Sequence, residues 1–184
     1  MADTVNKGMY HISDNPAFYE PARSNTFEFV VTNIDNLLSV DGETVYRNAQ
    51  EVLRYSVDSV SVPHFKQTPI VIRRGNSVMK AAGAPEFSEG TLVINDYIGA
   101  NSKSLLMSWQ QLNYNVNKDT VGNMADYKKD CYLLEYSPSY ELIRTWVLKG
   151  CFISGLDEGN FDNNETNSAR KITVTISYDS ARLV

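Results

Sequence analysis

The sequence predicts a mainly β protein, an antiparallel β-sandwich or barrel with one α-helix. Residues 170–179, RKITVTISYD, alternate strictly between apolar and polar side chains, as a strand with one buried face does. Roughly seven strand-like runs follow one another, and one segment has helical periodicity. Helix and strands do not alternate along the chain, which favours antiparallel strands over βαβ units.

The chain begins with a polar stretch, residues 1–25, which we expect to be an extended arm before a single β-domain over residues 26–184. In TFEFVVT, residues 26–32, every second residue is apolar, which predicts the first strand. The polar segment 33–50 follows, and Asp41-Gly42 within it is a candidate hairpin turn.

A long strand is expected over residues 51–62, EVLRYSVDSVSV. Its apolar residues change phase between Val57 and Val60. This change predicts a β-bulge or bend near Asp58.

Residues 63–86 predict a protruding hairpin rather than a packed central strand. Prolines flank the segment, and two short apolar runs, Ile70–Ile72 and Val78–Met79, surround a charged tip at residues 73–76. The alternative is a flexible surface hairpin.

The rest of the chain predicts strands at 87–96, 128–137 and 142–154, ahead of the closing strand at 170–179. The one helix is expected over residues 102–116. Asn101 or Ser102 can cap this helix, and its apolar residues recur at helical spacing: Leu105, Trp109, Leu112 and Val116.

The bulk composition is that of an ordinary globular domain. The 184 residues are 42% hydrophobic and 21% charged, and the net charge of −5 argues against tight, sequence-independent binding to nucleic acid. A membrane span and a signal-peptide core are not evident in the sequence, so synthesis in a cytoplasm is expected. Cys131 and Cys151 each lie in a strand-like run and are expected to be reduced core or interface residues.

Patterns typical of catalysis or metal binding are lacking in the sequence. His11 and His64 have no further ligand at metal-binding spacing, and no nucleophile elbow is present. Gly150 and Gly155 are interpreted as a bulge and a strand end. We therefore expect no catalytic residue, cofactor or metal, and favour a structural protein; a carbohydrate-binding β-sandwich or a small hydrolase remains the alternative.

Several segments, in order, resemble the tail-tube proteins of contractile-tailed phages of the T-even-like kind. The resemblance covers roughly residues 18–180 and rests on shared order and spacing. The matching segments are FYEPARSNTFEFVV (18–31), YSVDSVSVPHFKQTPIVIRRGNSVMKAAGAPEF (55–87), TLVINDYIGANSKSLLMSWQQL (91–112), ADYKKDCYLLEYS (125–137), IRTWVLKGCFISGLDEGNFDNN (143–164) and RKITVTISYD (170–179).

This resemblance implies a structural virion protein, made late in the host cytoplasm. Six copies would form a ring and contribute strands to one inner barrel, and the rings would stack into a tube. Double-stranded DNA would pass through the lumen without specific binding, and the sheath, baseplate and tail-terminator proteins would be partners. The alternative is the tube of a type VI secretion or extracellular contractile injection system, whose tube proteins, including the haemolysin-coregulated proteins, share this fold.

Two sets of residues are expected to serve such an assembly. The first should contact neighbouring subunits or rings: Phe65, Ile70, Ile72, Arg73, Arg74, Val78 and Met79. The second is the polar face of the closing strand, Thr173, Thr175 and Ser177, as lumen lining or subunit contact, with Lys171 at the rim. Plain outer-surface exposure is the alternative for this second set.

Overall fold

The computed structural model describes residues 21–34, 39–40, 43–44, 49–99, 101–162 and 168–184. The strands are β1 (Phe27–Val31), β2 (Ser39–Val40), β3 (Glu43–Thr44), β4 (Val57–Val60), β5 (Phe65–Gln67), β6 (Ile70–Arg74), β7 (Ser77–Ala81), β8 (Pro85–Phe87), β9 (Gly90–Asn95), β10 (Tyr114–Asn115), β11 (Thr120–Val121), β12 (Lys129–Tyr136), β13 (Leu142–Asp157), β14 (Lys171–Ser177) and β15 (Ser180–Leu183). The helices are α1 (Ala49–Ser56), α2 (Ser102–Asn113) and α3 (Met124–Tyr127).

The long strand β13 belongs to two sheets. Its first half pairs with β12 and β15, and its second half pairs with β14, so the strand order is β1-β12-β13-β14-β9-β4 with β15 beside β13. All of these pairs are antiparallel. The first sheet (β1, β12, β13, β15) and the second sheet (β13, β14, β9, β4) contribute to one apolar core. The predicted antiparallel, mainly β fold is confirmed.

Two irregularities let β13 face the same core in both sheets. The register with β12 shifts next to Gly150, whose φ is +67°, and the register with β14 shifts between Ile153 and Gly155. Each extra residue reverses the alternation of the strand. As a result, Leu148, Cys151 and Ile153 are all buried although their spacing is irregular. Gly150 therefore lies at a bulge, as predicted, whereas Gly155 lies inside the strand and does not end it.

The helix α2 covers the core with three buried apolar side chains, Leu105, Leu106 and Trp109. The indole Nε1 of Trp109 donates a hydrogen bond to the carbonyl oxygen of Tyr127, 3.0 Å away, so the ring is packed and its polar atom is paired. Helix α2 ends at Asn113, and Val116 lies beyond it with 76% of its surface exposed. The predicted helix is thus three residues too long.

The prediction for residues 51–62 is wrong in its first half. Residues 49–56 form α1, with Ala49, Leu53 and Ser56 buried at helical spacing, while Tyr55 is 69% exposed. The apparent alternation was that of a short amphipathic helix, and the described part of the chain has three helices where one was predicted. The predicted irregularity at Asp58 is present, because the register of β4 with β9 shifts between Val57 and Ser59.

A buried hydroxyl pair joins the end of α1 to the start of α2. Ser56 Oγ and Ser102 Oγ lie 2.8 Å apart, and neither residue is exposed to solvent. One hydroxyl donates to the other where water has no access, and this hydrogen bond links the two helices. Asn101 precedes α2, and its side chain accepts a hydrogen bond from Ser104 Oγ at 2.7 Å instead of capping the helix backbone.

The closing strand has the predicted inward face. Ile172, Val174 and Ile176 are buried in β14, and Tyr178 is buried just after it. Cys131 and Cys151 are free, buried thiols, and burial raises the pKa of Cys131 well above its ordinary value.

Some predictions fall outside the described part of the chain. These are the arm over residues 1–20 and the turn at Asp41-Gly42, although the strands before and after that turn pair with each other. Among the described residues, the structure has no helix with the length and apolar character needed to cross a bilayer.

Candidate assembly surface

Residues 64–86 form a hairpin of two tiers that extends from the second sheet. β5 pairs with β8 in the lower tier, and β6 pairs with β7 in the upper tier. Gly75 begins the two-residue loop at the tip with φ +58°, a conformation that hairpin loops favour, and Ser77 Oγ donates to the carbonyl of Arg74 at 2.9 Å. Every residue of this range is exposed except Gly83, which is half-buried.

The cross-strand register gives the upper tier two different faces. Ile70 lies opposite Ala81 and Ile72 lies opposite Met79, so these four side chains form an apolar face. Arg74 continues this face at the tip. The opposite face is mixed and cationic; its residues are Val71, Arg73, Val78 and Lys80.

The predicted contact residues therefore divide between the two faces. Ile70, Ile72, Arg74 and Met79 share the apolar face, and Arg73 and Val78 share the cationic one. Phe65 lies in the lower tier. The sequence prediction did not include Val71, Lys80 and Ala81, which become visible once the register of the two strands is known.

Aromatic contacts fix the base of the hairpin to the end of the closing strand. The rings of Phe65 and Phe87 have centroids 5.8 Å apart, and those of Phe87 and Tyr178 are 6.0 Å apart. The backbone N–H of His64 donates to Tyr178 Oη at 3.3 Å, and burial raises the pKa of Tyr178 above its ordinary value. The hairpin thus leaves the body in a defined direction.

The upper tier exposes apolar side chains on both faces. Ile70 is 56% exposed and Val71, on the opposite face, is 52% exposed. A two-stranded hairpin on its own is marginally stable in water, and a contiguous exposed apolar surface marks an interaction site. The arrangement is suited to binding another protein surface.

The polar face of β14 points away from the core. Thr173, Thr175 and Ser177 are half-buried there, and Ser177 Oγ donates to Glu89 Oε1 at 2.7 Å. Their cross-strand neighbours on the same face of the second sheet are mostly small: Thr91, Val93, Phe152, Gly155 and Asp157. This surface is separate from the hairpin.

One ion pair neutralises the lysine at the edge of this face. Lys171 Nζ lies 2.8 Å from Asp58 Oδ2. The hydrogen bond from Lys171 lowers the pKa of Asp58. The face therefore presents mainly hydroxyl and methyl groups, together with Phe152 and Asp157, and its lysine is held by a carboxylate.

A groove of about 970 Å³ lies between the ends of β1, β12, β13 and β15 on one side and the segment around β4 on the other. We call it the end groove. Its floor continues the core face of the first sheet, since Trp146 lies opposite both Leu133 and Leu183. Its apolar lining includes Phe27, Val57, Val60, Ile143, Trp146 and Leu183.

Two ion pairs lie within the lining of the end groove. Glu135 accepts hydrogen bonds from Trp146 Nε1 at 3.0 Å and from Arg144 Nη1 at 3.2 Å. Glu28 forms an ion pair with Arg54 at 3.1 Å. The groove was missed by the sequence analysis, because it is built from segments that are brought together only by the sheet register.

Within the described ranges, no group of three or more His, Cys, Asp or Glu side chains is placed to hold a metal ion. The arrangement of the hairpin, the end groove and the polar sheet face offers contact surfaces.

No protein-family model matches the sequence, and no curated protein matches it. Several solved structures share the fold. A chain from the sheath-tube complex of the extracellular contractile injection system PVC, in its extended state, is 18% identical with a TM-score of 0.64, over 91% of this chain and 94% of that chain. A chain from the PVC sheath/tube terminator is 19% identical with a TM-score of 0.65, over 90% and 97%.

The SPP1 tail tube is more distant, at 8% identity and a TM-score of 0.52, over 89% of this chain and 78% of that chain. All three comparisons cover most of this chain. The chain therefore has the tube-protein fold of contractile injection systems and phage tails.

Proposed function

We propose that the chain is a structural subunit of a phage tail tube, whose copies close into hexameric rings that stack around a lumen. The observation that carries this proposal is the hairpin of residues 64–86, which exposes apolar side chains on both faces. Neighbouring subunits in a ring or in stacked rings would cover these side chains. The tube-protein fold supports the same assignment.

The second sheet supplies the lumen wall in this proposal. Thr173, Thr175 and Ser177 would line the lumen with short hydroxyl side chains, and the one lysine at their edge is held by Asp58. Such a wall offers few cations to the phosphates of DNA, and the net charge of −5 adds repulsion. A duplex would slide through without specific binding.

The tube of an extracellular contractile injection system is the second candidate, with type VI secretion as a related case. This candidate is favoured because the TM-scores of the PVC chains, 0.64 and 0.65, are higher than that of the SPP1 tail tube, 0.52. Sheath, terminator and baseplate proteins would be partners in either machine, since the related structures are a sheath-tube complex, a sheath/tube terminator and the baseplate of the anti-feeding prophage. The cargo differs: DNA in one, protein in the other.

Electron microscopy of the purified chain tests the proposal. We expect tubes with six subunits per ring, either spontaneously or after addition of a baseplate complex as initiator. A chain that stays monomeric at high concentration, with and without the initiator, would contradict the proposal. Neighbouring genes separate the two candidates, because capsid and terminase genes indicate a phage and secretion ATPase genes indicate an injection machine.

A further inference from the structure

We propose that the apolar face of the hairpin docks into the end groove of a second copy of this chain. The inference rests on the proposed function and goes beyond it, because it names the acceptor surface on the neighbouring subunit. The donor residues are Ile70, Ile72, Met79 and Ala81, and the acceptor is the groove floor around Trp146 and Leu183.

Among the described residues, the groove keeps an apolar surface open to solvent. Leu183 is 51% exposed although it lies on the core face of the first sheet, and Ile143 at the rim is also exposed. Four charged side chains of the lining are paired within it, Glu135 with Arg144 and Glu28 with Arg54. An apolar ligand can therefore enter without leaving a buried charge unpaired.

The hairpin provides the matching apolar surface. Ile70, Ile72 and Met79 lie on one face of a two-stranded element, and the described part of the chain leaves this face exposed. The end groove, between the first sheet and the segment around β4, can accept this hairpin face. At about 970 Å³, the groove has the size of a well-formed binding cleft.

Charge segregation identifies the occupant as a second copy. Residues 64–86 carry four cations, Lys66, Arg73, Arg74 and Lys80, against one anion, Glu86, which gives +3. The whole chain carries −5, so the remaining residues carry −8. The hairpin of one copy is thus attracted to the body of another, whereas two bodies repel each other.

The geometry of this contact suits a polymer. A surface element that fits a cleft elsewhere on the same molecule makes a heterologous contact. Each copy then still has a free hairpin or a free groove, so the contact can be repeated into rings or filaments. Donor and acceptor lie on different parts of each chain, so each copy can give one hairpin and receive another.

A mixing experiment tests the contact. Ile70→Asp damages the hairpin and leaves the groove intact; Leu183→Lys damages the groove, with a charge that also repels the cationic hairpin. Each variant alone should need about a tenfold higher concentration, or more, to assemble than the natural chain, because every 1.4 kcal/mol lost at an interface changes its dissociation constant tenfold. Native mass spectrometry of an equal mixture should show a 1:1 complex, since the intact hairpin of one variant meets the intact groove of the other.

Two matched controls separate this contact from general damage. Val116→Asp and Val121→Lys place the same two charges at exposed apolar residues outside both the hairpin and the groove. Both should assemble at concentrations close to that of the natural chain. Circular dichroism and urea midpoints check that all four variants fold.

The possible outcomes distinguish the two proposals. If the natural chain forms tubes and Leu183→Lys assembles equally well, the hairpin docks elsewhere and the inference is wrong. If each variant fails alone and the mixture gives no 1:1 complex, the inference is also overturned. If the natural chain forms no tube under any condition, the proposed function fails, and the presence or absence of the 1:1 complex still decides whether hairpin and groove bind.

Discussion

Gly150 allows a direct test of how β13 passes from one sheet to the other. Its φ is +67°, a left-handed conformation in which a side chain costs about 1 kcal/mol or more. A Cβ at this residue would lie 2.1 Å from Asp179 Oδ2 and 2.8 Å from its Cγ. Gly150→Ala must therefore displace the Asp179 carboxylate as well as strain the backbone.

The displaced carboxylate has a partner. Both oxygens of Asp179 lie 2.8 Å from Lys128 Nζ, and this partly exposed ion pair contributes at most about 1 kcal/mol. Together with the backbone term, Gly150→Ala should lower the free energy of unfolding by about 2 kcal/mol. In a protein of this size, that loss corresponds to a fall in Tm of about 4–8 °C.

Urea unfolding followed by tryptophan fluorescence measures this effect, with Gly155→Ala as the control. Gly155 lies in the same strand, and a Cβ there would make an ordinary contact with Thr175 at 3.5 Å. This control should change the free energy of unfolding by less than about 1 kcal/mol. In an Asp179→Ala background, Gly150→Ala should cost only the backbone term, about 1 kcal/mol. A cost for Gly150→Ala no larger than that of Gly155→Ala would refute this account of the bulge.

Three further predictions concern the body of the subunit. Ser102→Ala should cost about 1–3 kcal/mol in urea unfolding, because it leaves the Ser56 hydroxyl buried without a partner; the double variant Ser56→Ala/Ser102→Ala should recover part of that loss, and no recovery would argue against the pair. Trp109→Ala should cost about 3–5 kcal/mol, measured by circular dichroism, and a smaller loss would mean that the cavity collapses. Asp58 has a folded pKa below its ordinary 3.8, so its pair with Lys171 stabilises the fold above that pH and is lost as the pH falls through the folded value. Lys171→Met should therefore lower the urea midpoint at neutral pH by an amount that disappears in strong acid, and a difference that persists in acid would contradict the pairing.

The fold could be predicted from the sequence in strands that bury every second side chain in the same core. In β14, burial of Ile172, Val174 and Ile176 follows from strict alternation, since each side chain on that face meets the same interior. Residues 49–56 misled the prediction because a helix of only eight residues shows few repeats. Ala49 and Leu53, four residues apart, and Glu51 in the first turn were the helical signal, and they competed with an accidental alternation at Tyr55 and Val57.

The assembly surface was predictable only in part, for a different reason. Charges, prolines and short apolar runs are local features, so the sequence could place a protruding hairpin at residues 63–86. Alternation along the strand already implies that Ile72 and Arg73 lie on opposite faces. The cross-strand partners on each face, however, depend on the register of β6 with β7. The end groove depends on residues as far apart as Phe27 and Leu183, and local patterns contain no information about such a pairing.

The charge distribution explains how such a chain can stay dispersed before it assembles. Two bodies that each carry an excess of negative charge repel one another, and this repulsion is screened by salt. In the proposed contact, the cationic hairpin would attract the body of another copy, so that an encounter is favoured when a hairpin leads. Apolar contact at Ile70 and Met79 would then follow the electrostatic encounter, in the order that produces a directional, head-to-tail assembly instead of random aggregation.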